Sequence, residues 1–259
     1  MERLVASGRV RVRISGEGRP LVLFHSLLAD ATSWDALAPL LAQDHQVIVC
    51  DLPGFAGLAP IGGGLAPVAA ALGAAIAELG LTAPPVAVGN GYGSFLALRL
   101  ALDQPGRLAA LALLGCGARF SDPGRAAFRA MREAAAARGL EAVAETAMAR
   151  LFGAAFRAAN PALMDARRAA FLATDPATFA AACAALESLD LEADVPRLAL
   201  PALLLAGSED QATPPAMAQA LAGLMPQARF TLLDGLAHVP QLQAPARVAA
   251  ELRGFLAGV

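Results

Sequence analysis

A strand, a glycine-rich turn and a helix follow one another without a linker after Pro85, and this order restricts the folds open to the chain. An apolar strand leads into the turn Gly89-Asn90-Gly91-Tyr92-Gly93, and a helical pattern begins at Ser94. A turn of the form G-x-S-x-G holds a serine at the centre of a sharp strand-to-helix bend. Gly91 stands at that central position and has no side chain, so residue 91 cannot supply a nucleophile.

Short apolar strands alternate with helices on both sides of this turn. The predicted elements are an antiparallel hairpin over residues 3–15, strands over 21–24, 47–50, 85–88, 108–114, 202–206 and 229–233, and helices between them. One of these helices opens near Trp34, with Ser33 as its predicted N-cap. This rhythm is typical of an α/β fold with a mostly parallel sheet.

The alternation of strands and helices stops between about Ser121 and Asp194, where the pattern is helical throughout. Breaks fall at Gly139, Gly153, Pro161 and Pro176. We therefore predict a core made of residues 1–117 and 196–259, and an inserted helical cap over residues 118–195.

The composition narrows the classes of partner. A net charge of −2 gives no reason to expect nucleic acid or an anionic membrane as a partner, and the absence of lysine excludes Schiff-base chemistry. Three widely spaced cysteines predict neither a zinc site nor a disulfide framework. The apolar runs are too short to span a membrane, and the residues after Met1 form no apolar signal region, so a cytoplasmic protein is expected. We expect a small-molecule substrate and neither a metal nor an organic cofactor. The sequence does not decide whether the chain forms a homodimer.

Two loops at the carboxyl ends of predicted strands carry an acid and a histidine. Asp210 follows the strand over 202–206, and His238 follows the last strand. The carboxyl ends of parallel strands meet at one edge of a sheet, where ligands bind, so we expect these two side chains to meet. Glu209 is the other acid that could pair with His238. For both carboxylates, the alternative to an active-site role is a solvated position in the loop.

A third loop, His25-Ser26-Leu27-Leu28, follows the strand over 21–24. We predict that the backbone N–H groups of Leu27 and Tyr92 form an oxyanion hole, which stabilises the negative charge that a carbonyl oxygen gains during acyl transfer. Such a hole takes one N–H from this loop and one from the residue after the centre of the strand-to-helix turn, here called the elbow. An ordinary strand-to-helix connection is the alternative. Ser26 and Cys116 are predicted to line the substrate pocket.

With these residues identified, the chain resembles the α/β-hydrolase superfamily, and within it most closely the 3-oxoadipate enol-lactonases. The resemblance rests on Ser26-Leu27 with Asp30 and Trp34, on Asp51-Leu52-Pro53-Gly54, on residues 206–215, and on the segments 149–152 and 172–176. It implies a mostly parallel, eight-stranded sheet flanked by helices, with an inserted cap. It also implies that Arg150 pairs with a substrate carboxylate, whereas Leu151 stands where those lactonases have a tryptophan.

The resemblance implies an esterase- or lactonase-like hydrolase, but Gly91 changes the expected mechanism. The pair Asp210–His238 would then activate water, or move a substrate proton, without a covalent intermediate. Ser26, Ser94 and Cys116 are the side chains that could supply a nucleophile instead, with hydrogen bonding or packing as their alternative roles. A catalytically silent binding protein, or a serine hydrolase whose nucleophile was deliberately changed to glycine, also stays open.

Overall fold

An eight-stranded sheet forms the centre of the computed structural model, which describes residues 1–259. The strands are β1 (Glu2–Val5), β2 (Val10–Ser15), β3 (Arg19–Phe24), β4 (His45–Asp51), β5 (Val86–Asn90), β6 (Ala110–Leu114), β7 (Ala202–Gly207) and β8 (Ala228–Leu233). They lie in the order β1-β2-β4-β3-β5-β6-β7-β8. Only the β1–β2 and β2–β4 pairs are antiparallel, so the predicted mostly parallel sheet is confirmed.

Helices flank the sheet and fill the long stretch between β6 and β7. They are α1 (Ala38–Leu41), α2 (Leu65–Glu78), α3 (Tyr92–Asp103), α4 (Asp122–Arg138), α5 (Ala144–Leu151), α6 (Ala154–Ala159), α7 (Pro161–Leu172), α8 (Pro176–Glu187), α9 (Pro215–Leu224), α10 (Pro240–Gln243) and α11 (Pro245–Leu256). No single helix is long and apolar enough to span a membrane; α7 and α8 meet the length and hydropathy criteria only together, across a bend of 94°.

The helices between β6 and β7, here called the helical segment (α4–α8), end and begin where the sequence indicates. Helix α4 ends before Gly139, whose φ of +78° suits a residue without a Cβ. Helices α7 and α8 each begin with a proline, which leaves no backbone N–H unpaired at that position. Arg167 in α7 binds the carboxylate of Asp30 at 3.1 Å and so joins this segment to the loop after β3.

The turn after β3 differs from the sequence prediction. A 3₁₀ turn over residues 31–34 comes first, and its N-cap is Asp30, whose carboxylate accepts the Thr32 N–H at 3.2 Å. The prediction of Ser33 as an N-cap is therefore wrong: Ser33 lies inside the turn, buried and without a hydrogen-bond partner for its hydroxyl. Both residues are good cap types, and the sequence does not say which one the turn uses.

The central strands are buried on both faces, because helices cover each side of the sheet. Neighbouring residues Leu23 and Phe24 enter different apolar clusters. Phe24 packs in the larger cluster with α2, α3 and the helical segment, and Leu23 packs in the smaller one with Trp34 and α11. These clusters hold the carboxyl ends of β3 and β5 in fixed positions.

The strand order creates a crevice beside β3. The chain passes from β3 to β4 on one side, and then crosses to β5 on the other side. Connections that diverge in this way leave a cleft outside the carboxyl ends of the strands, where α/β proteins bind ligands. The loop His25–Leu28 and the turn at Gly91 flank this cleft.

Close packing of α3 on β3 depends on Gly93. A Cβ placed on Gly93 would lie 2.1 Å from the backbone oxygen of Phe24, at the carboxyl end of the central strand β3. We predict that Gly93→Ala lowers the free energy of unfolding by about 3 kcal/mol or more, since neither backbone can move away cheaply. Denaturant titration measures this.

Gly254→Ala in α11 is the control, because a Cβ there meets no atom within 4 Å. This variant is expected to be neutral or up to about 1 kcal/mol more stable, as alanine favours a helix over glycine. Equal effects of the two substitutions would contradict the packing argument.

Candidate functional site

An aspartate and a histidine from two different loops meet behind the cleft. Nδ1 of His238 lies 2.8 Å from Oδ2 of Asp210, and both side chains are almost completely buried. Asp210 also accepts hydrogen bonds from the N–H groups of Ala212 and Thr213 and from the Thr213 hydroxyl. Burial alone would raise the pKa of Asp210, but the charge of His238 and these hydrogen bonds outweigh it and hold the pKa below its usual value.

These contacts fix the role of each ring nitrogen of His238. Asp210 is ionised and can only accept, so Nδ1 of His238 carries the proton and donates it. In the neutral imidazole Nε2 then presents a lone pair toward the cleft. The arrangement is that of a general base held by a carboxylate.

The loop that carries His238 is anchored to the turn at the end of β5. The Asn90 side chain donates to the backbone oxygens of His238, at 2.8 Å, and Leu114, at 3.2 Å. Gln241 donates in turn to the Asn90 side-chain oxygen at 3.0 Å. All of these groups are buried, so the histidine backbone is fixed relative to β5 and β6.

Gly91 keeps the backbone geometry of a sharp elbow. Its φ of +52° and ψ of −116° lie outside the regions that residues with a Cβ readily adopt. A Cβ built on Gly91 would lie 2.6 Å from Oγ of Ser26 and 2.7 Å from Nε2 of His238. Those two atoms, themselves 3.5 Å apart, therefore close around the space that a side chain at 91 would take.

Two residues that line the same cavity have backbone N–H groups without a partner. Leu27 follows β3, and Tyr92 is the first residue of α3, where a helix leaves its N–H groups without an internal partner. Neither N–H donates to any other group in the structure. Both residues line the cavity next to His238.

The cavity is small and mostly apolar, with a volume of about 30 Å³. This is enough for one or two water molecules. Its lining consists of Ser26, Leu27, Leu28, Gly91, Tyr92, Phe95, Phe120, Phe128, Arg150, Leu186, Ala212, Thr213 and His238. Two larger grooves of about 480 Å³ each lie at the opposite edge of the sheet, and neither is lined by a histidine, a cysteine or a carboxylate.

Arg150 from α5 brings a positive charge to this cavity. Its guanidinium lies 5.5 Å from the centre of the Phe128 ring and donates to the backbone oxygen of Ala212 at 3.4 Å. No carboxylate lies within ion-pairing distance of it. Burial lowers the pKa of Arg150, and the nearby charge of Asp210 opposes that shift. The guanidinium can therefore bind an anionic ligand group.

A second histidine supports the loop after β3. His25 is completely buried, its ring lies edge-on to Phe55, and its Nε2 accepts the Leu52 N–H at 3.3 Å. Nδ1 therefore carries the proton and donates to the backbone oxygen of Ser26 at 2.9 Å. Burial lowers the pKa of His25 to about 4, so the ring is neutral and serves as a fixed brace for the Ser26–Leu27 backbone.

The structure brings most of the predicted site residues together. One cavity is lined by His238 together with Ser26, Leu27, Gly91, Tyr92 and Arg150, and Asp210 binds the ring from its Nδ1 side. Glu209, the competing acid, is exposed and makes no contact with His238.

The structure does not place Cys116 in the lining of the pocket, where the sequence predicts it. It is completely buried in the larger apolar cluster, with its sulfur 3.9 Å from the backbone oxygen of Leu113, and it does not line the cavity. Burial, together with the charge of Asp210, raises the pKa of its thiol. A thiol in that state is a poor nucleophile.

Three contributors escaped the sequence analysis: Thr213, Asn90 and His25. Thr213 bonds to both members of the pair, and its signal is the spacing Asp-x-x-Thr, which suits a carboxylate accepting N–H groups two and three residues on. Asn90 and His25 act through contacts with loops distant in sequence, so no local pattern reveals them.

The comparison with known families agrees with this geometry. The family model described as "Alpha/beta hydrolase family" matches residues 21–251, which is most of the chain and includes every residue of the site. The chain belongs to the alpha/beta hydrolase family.

Several curated relatives of the chain are esterases by name. A pimeloyl-(acyl-carrier protein) methyl ester esterase of Legionella pneumophila is 32% identical over 105 residues, which cover 40% of this chain and 41% of that protein. The chain thus spans about two-fifths of the length of the curated relatives it matches first.

Two solved structures superpose over 99–100% of this chain. A thermophilic esterase from Thermogutta terrifontis, solved with malate bound, has a TM-score of 0.88 and 28% identity and covers 100% of this chain and 98% of its own. The enol-lactonase from Burkholderia xenovorans LB400 has a TM-score of 0.90 and 24% identity, covering 99% and 100%. At that identity the second likeness shows the fold alone.

The buried neutral His25 predicts a pH-dependent stability. The unfolded chain binds a proton at histidine below about pH 6.5, whereas folded His25 does so only below about pH 4. The free energy of unfolding should therefore fall as pH drops from about 6.5 to 4, by up to about 1.4 kcal/mol per pH unit from this group.

Denaturant titrations of the parent chain and of His25→Gln across this window measure the effect. The variant keeps a hydrogen-bonding side chain but cannot titrate, so its stability should change less steeply with pH even if it is less stable overall. Parallel curves for the two proteins would contradict the account of His25.

Proposed function

We propose that this chain is a hydrolase of small esters or lactones that carry a carboxylate, with His238 as its general base. The observation that carries the proposal is the buried pair Asp210–His238 beside a cavity that is also lined by Leu27 and Tyr92, whose backbone N–H groups have no partner. A base beside a ready oxyanion hole suits attack on an acyl carbon.

In the proposed reaction His238 accepts a proton from a water that attacks the acyl carbon. The carbonyl oxygen gains negative charge in this step and accepts hydrogen bonds from the N–H groups of Leu27 and Tyr92. Asp210 stabilises the imidazolium that forms, and His238 then returns the proton to the leaving oxygen. No covalent bond forms at residue 91, since glycine has no side chain.

Hydrolysis is favoured here over proton transfer at carbon. The same base could serve a lyase or an isomerase, but the paired N–H donors suit the tetrahedral oxyanion of acyl transfer. The esterase relatives agree with this preference.

The preference for a carboxylate rests on Arg150. An arginine without a protein carboxylate partner, beside the base and partly buried, suits a charge-assisted contact with an acidic substrate. The Thermogutta esterase was solved with malate, a small dicarboxylate, which agrees with this substrate class. The helical segment supplies Arg150, Phe128 and Leu186 to the lining, so we propose that residues 118–195 act as a cap that closes over the substrate.

An assay of three proteins tests the proposed reaction. The parent chain should hydrolyse aryl esters and enol-lactones, and His238→Ala should lower kcat by about 10²–10⁴-fold, as expected for loss of a general base. Gly91→Ser should not be needed for this activity. His45→Ala, a histidine on β4 away from the cavity, is the control and should keep the parent rate.

Activity that is seen only in Gly91→Ser would contradict the proposal, because the parent would then lack a usable oxygen. A parent rate equal to that of His238→Ala would contradict the assigned base. No hydrolysis by any of these proteins would contradict the reaction class itself and favour a binding protein.

A second assay tests the substrate class. For Arg150→Gln, kcat/KM for an aryl hemisuccinate should fall about 10–100-fold, since a hydrogen bond to a charged group contributes about 1.5–3 kcal/mol. The neutral aryl butyrate should change little. Arg168→Gln, a paired surface arginine on α7, is the control and should leave both rates unchanged. Equal losses for both esters in Arg150→Gln would contradict recognition of the carboxylate.

A further inference from the structure

The hydroxyl of Ser26 occupies a position that the water mechanism does not use. Oγ of Ser26 lies 3.5 Å from Nε2 of His238, and the residue is 2% exposed. It is the sole hydrogen-bond partner of Nε2 in the structure. The free ring nitrogen of the base is thus turned to one particular side-chain oxygen.

The direction of this contact follows from the acid on the far side of the ring. Nδ1 of His238 donates to Asp210, so Nε2 of the neutral ring can only accept. The proton between the two groups therefore belongs to the Ser26 hydroxyl. A hydroxyl that points its proton at a carboxylate-held imidazole has the arrangement of an activated serine nucleophile. At 3.5 Å the contact is longer than the roughly 2.6–3.2 Å of a tight pair, and such contacts shorten when substrate binds.

The position of Ser26 relative to the proposed oxyanion donors is also the one expected of a nucleophile. In a strand-to-helix elbow, the residue after the central one supplies an oxyanion donor, and here Tyr92 follows Gly91. Ser26 is likewise followed by Leu27, which lines the same cavity and whose N–H donates to no other group. Leu27 and Tyr92 therefore each follow a residue that borders the cavity, at positions 26 and 91. Of these two positions, only position 26 has a side-chain oxygen.

Gly91 makes the meeting of Ser26 and His238 sterically feasible. A Cβ at position 91 would lie within 2.7 Å of both the Ser26 oxygen and the His238 nitrogen. Any larger residue would therefore push at least one of them aside. Glycine at position 91 thus leaves room for the contact between Ser26 and His238.

The other side chains that could supply a nucleophile bind other groups or lie outside the cavity. The Ser94 hydroxyl donates to the backbone oxygen of Leu114 at 3.0 Å and is completely buried. Cys116 is buried outside the cavity. Thr213 donates its hydroxyl to Asp210 and lies on the Nδ1 side of the ring.

We propose that Ser26 is the nucleophile of the hydrolysis proposed above, on which this inference rests. Oγ of Ser26 forms a bond to the acyl carbon while its proton passes to Nε2 of His238. The bond from the acyl carbon to the leaving oxygen then breaks, and that oxygen takes the proton. In the second half, water gives a proton to Nε2 and attacks the acyl-Ser26, and Oγ leaves with the proton from His238. The water activation proposed above is thus the second half of a two-step reaction.

Covalent labelling tests this assignment without depending on the true substrate. A p-nitrophenyl alkylphosphonate ester is the probe, because it phosphonylates an activated serine with release of p-nitrophenolate. Intact mass and peptide mapping should find one phosphonyl group per chain, on Ser26, in the parent and in the control Ser94→Ala. Ser26→Ala should remain unlabelled, and His238→Gln should be labelled at least about 100-fold more slowly.

A second variant guards against a simple folding defect. Ser26→Cys should be alkylated by iodoacetamide at residue 26, and more slowly when His238→Gln is added, because the base favours the thiolate. Thermal melts of all variants show that the compared proteins are folded. No adduct on the parent, an adduct at another residue, or equal labelling rates with and without His238 would overturn the assignment.

The ester assay separates this inference from the proposed function. Hydrolysis that survives in Ser26→Ala but is lost in His238→Ala would overturn the role of Ser26 and support direct attack by water. Labelling of Ser26 that depends on His238, in a parent chain that hydrolyses no tested ester, would support the nucleophile and contradict the proposed substrates.

Discussion

The hydrogen bond between Nδ1 of His238 and Asp210 is the interaction on which the site depends. It joins the loops after β7 and β8, and both side chains are buried, so the charge of the carboxylate is held by fixed donors rather than by water. Asp210 sets the direction of the imidazole, and that direction turns Nε2 to the cleft created by the order β4-β3-β5. The free N–H groups of Leu27 and Tyr92 lie at the same cleft because each begins a connection from one of its two strands. Sheet topology and this hydrogen bond together thus bring the imidazole of His238 and two free backbone N–H groups to one cleft.

Glycine at the centre of the elbow changes which atoms meet. The bend itself persists, with φ of +52° at Gly91, so α3 still starts with a free N–H at Tyr92. The side-chain space is closed by Oγ of Ser26 and Nε2 of His238, each within 2.7 Å of where a Cβ would lie. The turn at Gly91 has no side-chain hydroxyl of its own, but an imidazole, two free backbone N–H groups and the Ser26 hydroxyl lie beside it. In both halves of the proposed reaction, the attack by Ser26 and the attack by water, the proton acceptor is Nε2 of His238.

Sequence alone predicts the parts of this site that follow from strand order. Asp210, His238, Leu27 and Tyr92 each lie two to five residues after the end of an apolar strand, and parallel strands bring such positions to one edge. The helix breaks in the stretch 121–194 are equally local, since Gly139, Gly153, Pro161 and Pro176 act on their own backbone. Both predictions need no knowledge of long-range packing.

Sequence fails where a residue's role depends on partners far along the chain. Ser33 and Asp30 are both good cap residues, and tertiary contacts with Arg167 favour the latter. Cys116 follows β6 but points into the apolar core. The contact of Ser26 with His238 joins loops 212 residues apart and depends on the missing Cβ of Gly91.

The tautomer of His238 tests the central claim most directly. In protein labelled with ¹⁵N-histidine, NMR at a pH where the ring is neutral should find the proton on Nδ1, with Nε2 unprotonated. In Asp210→Asn this preference should be lost, since the carboxylate that holds the proton is gone. A neutral ring protonated on Nε2 in the parent chain would contradict the account, because no lone pair would then face Ser26 and the cavity.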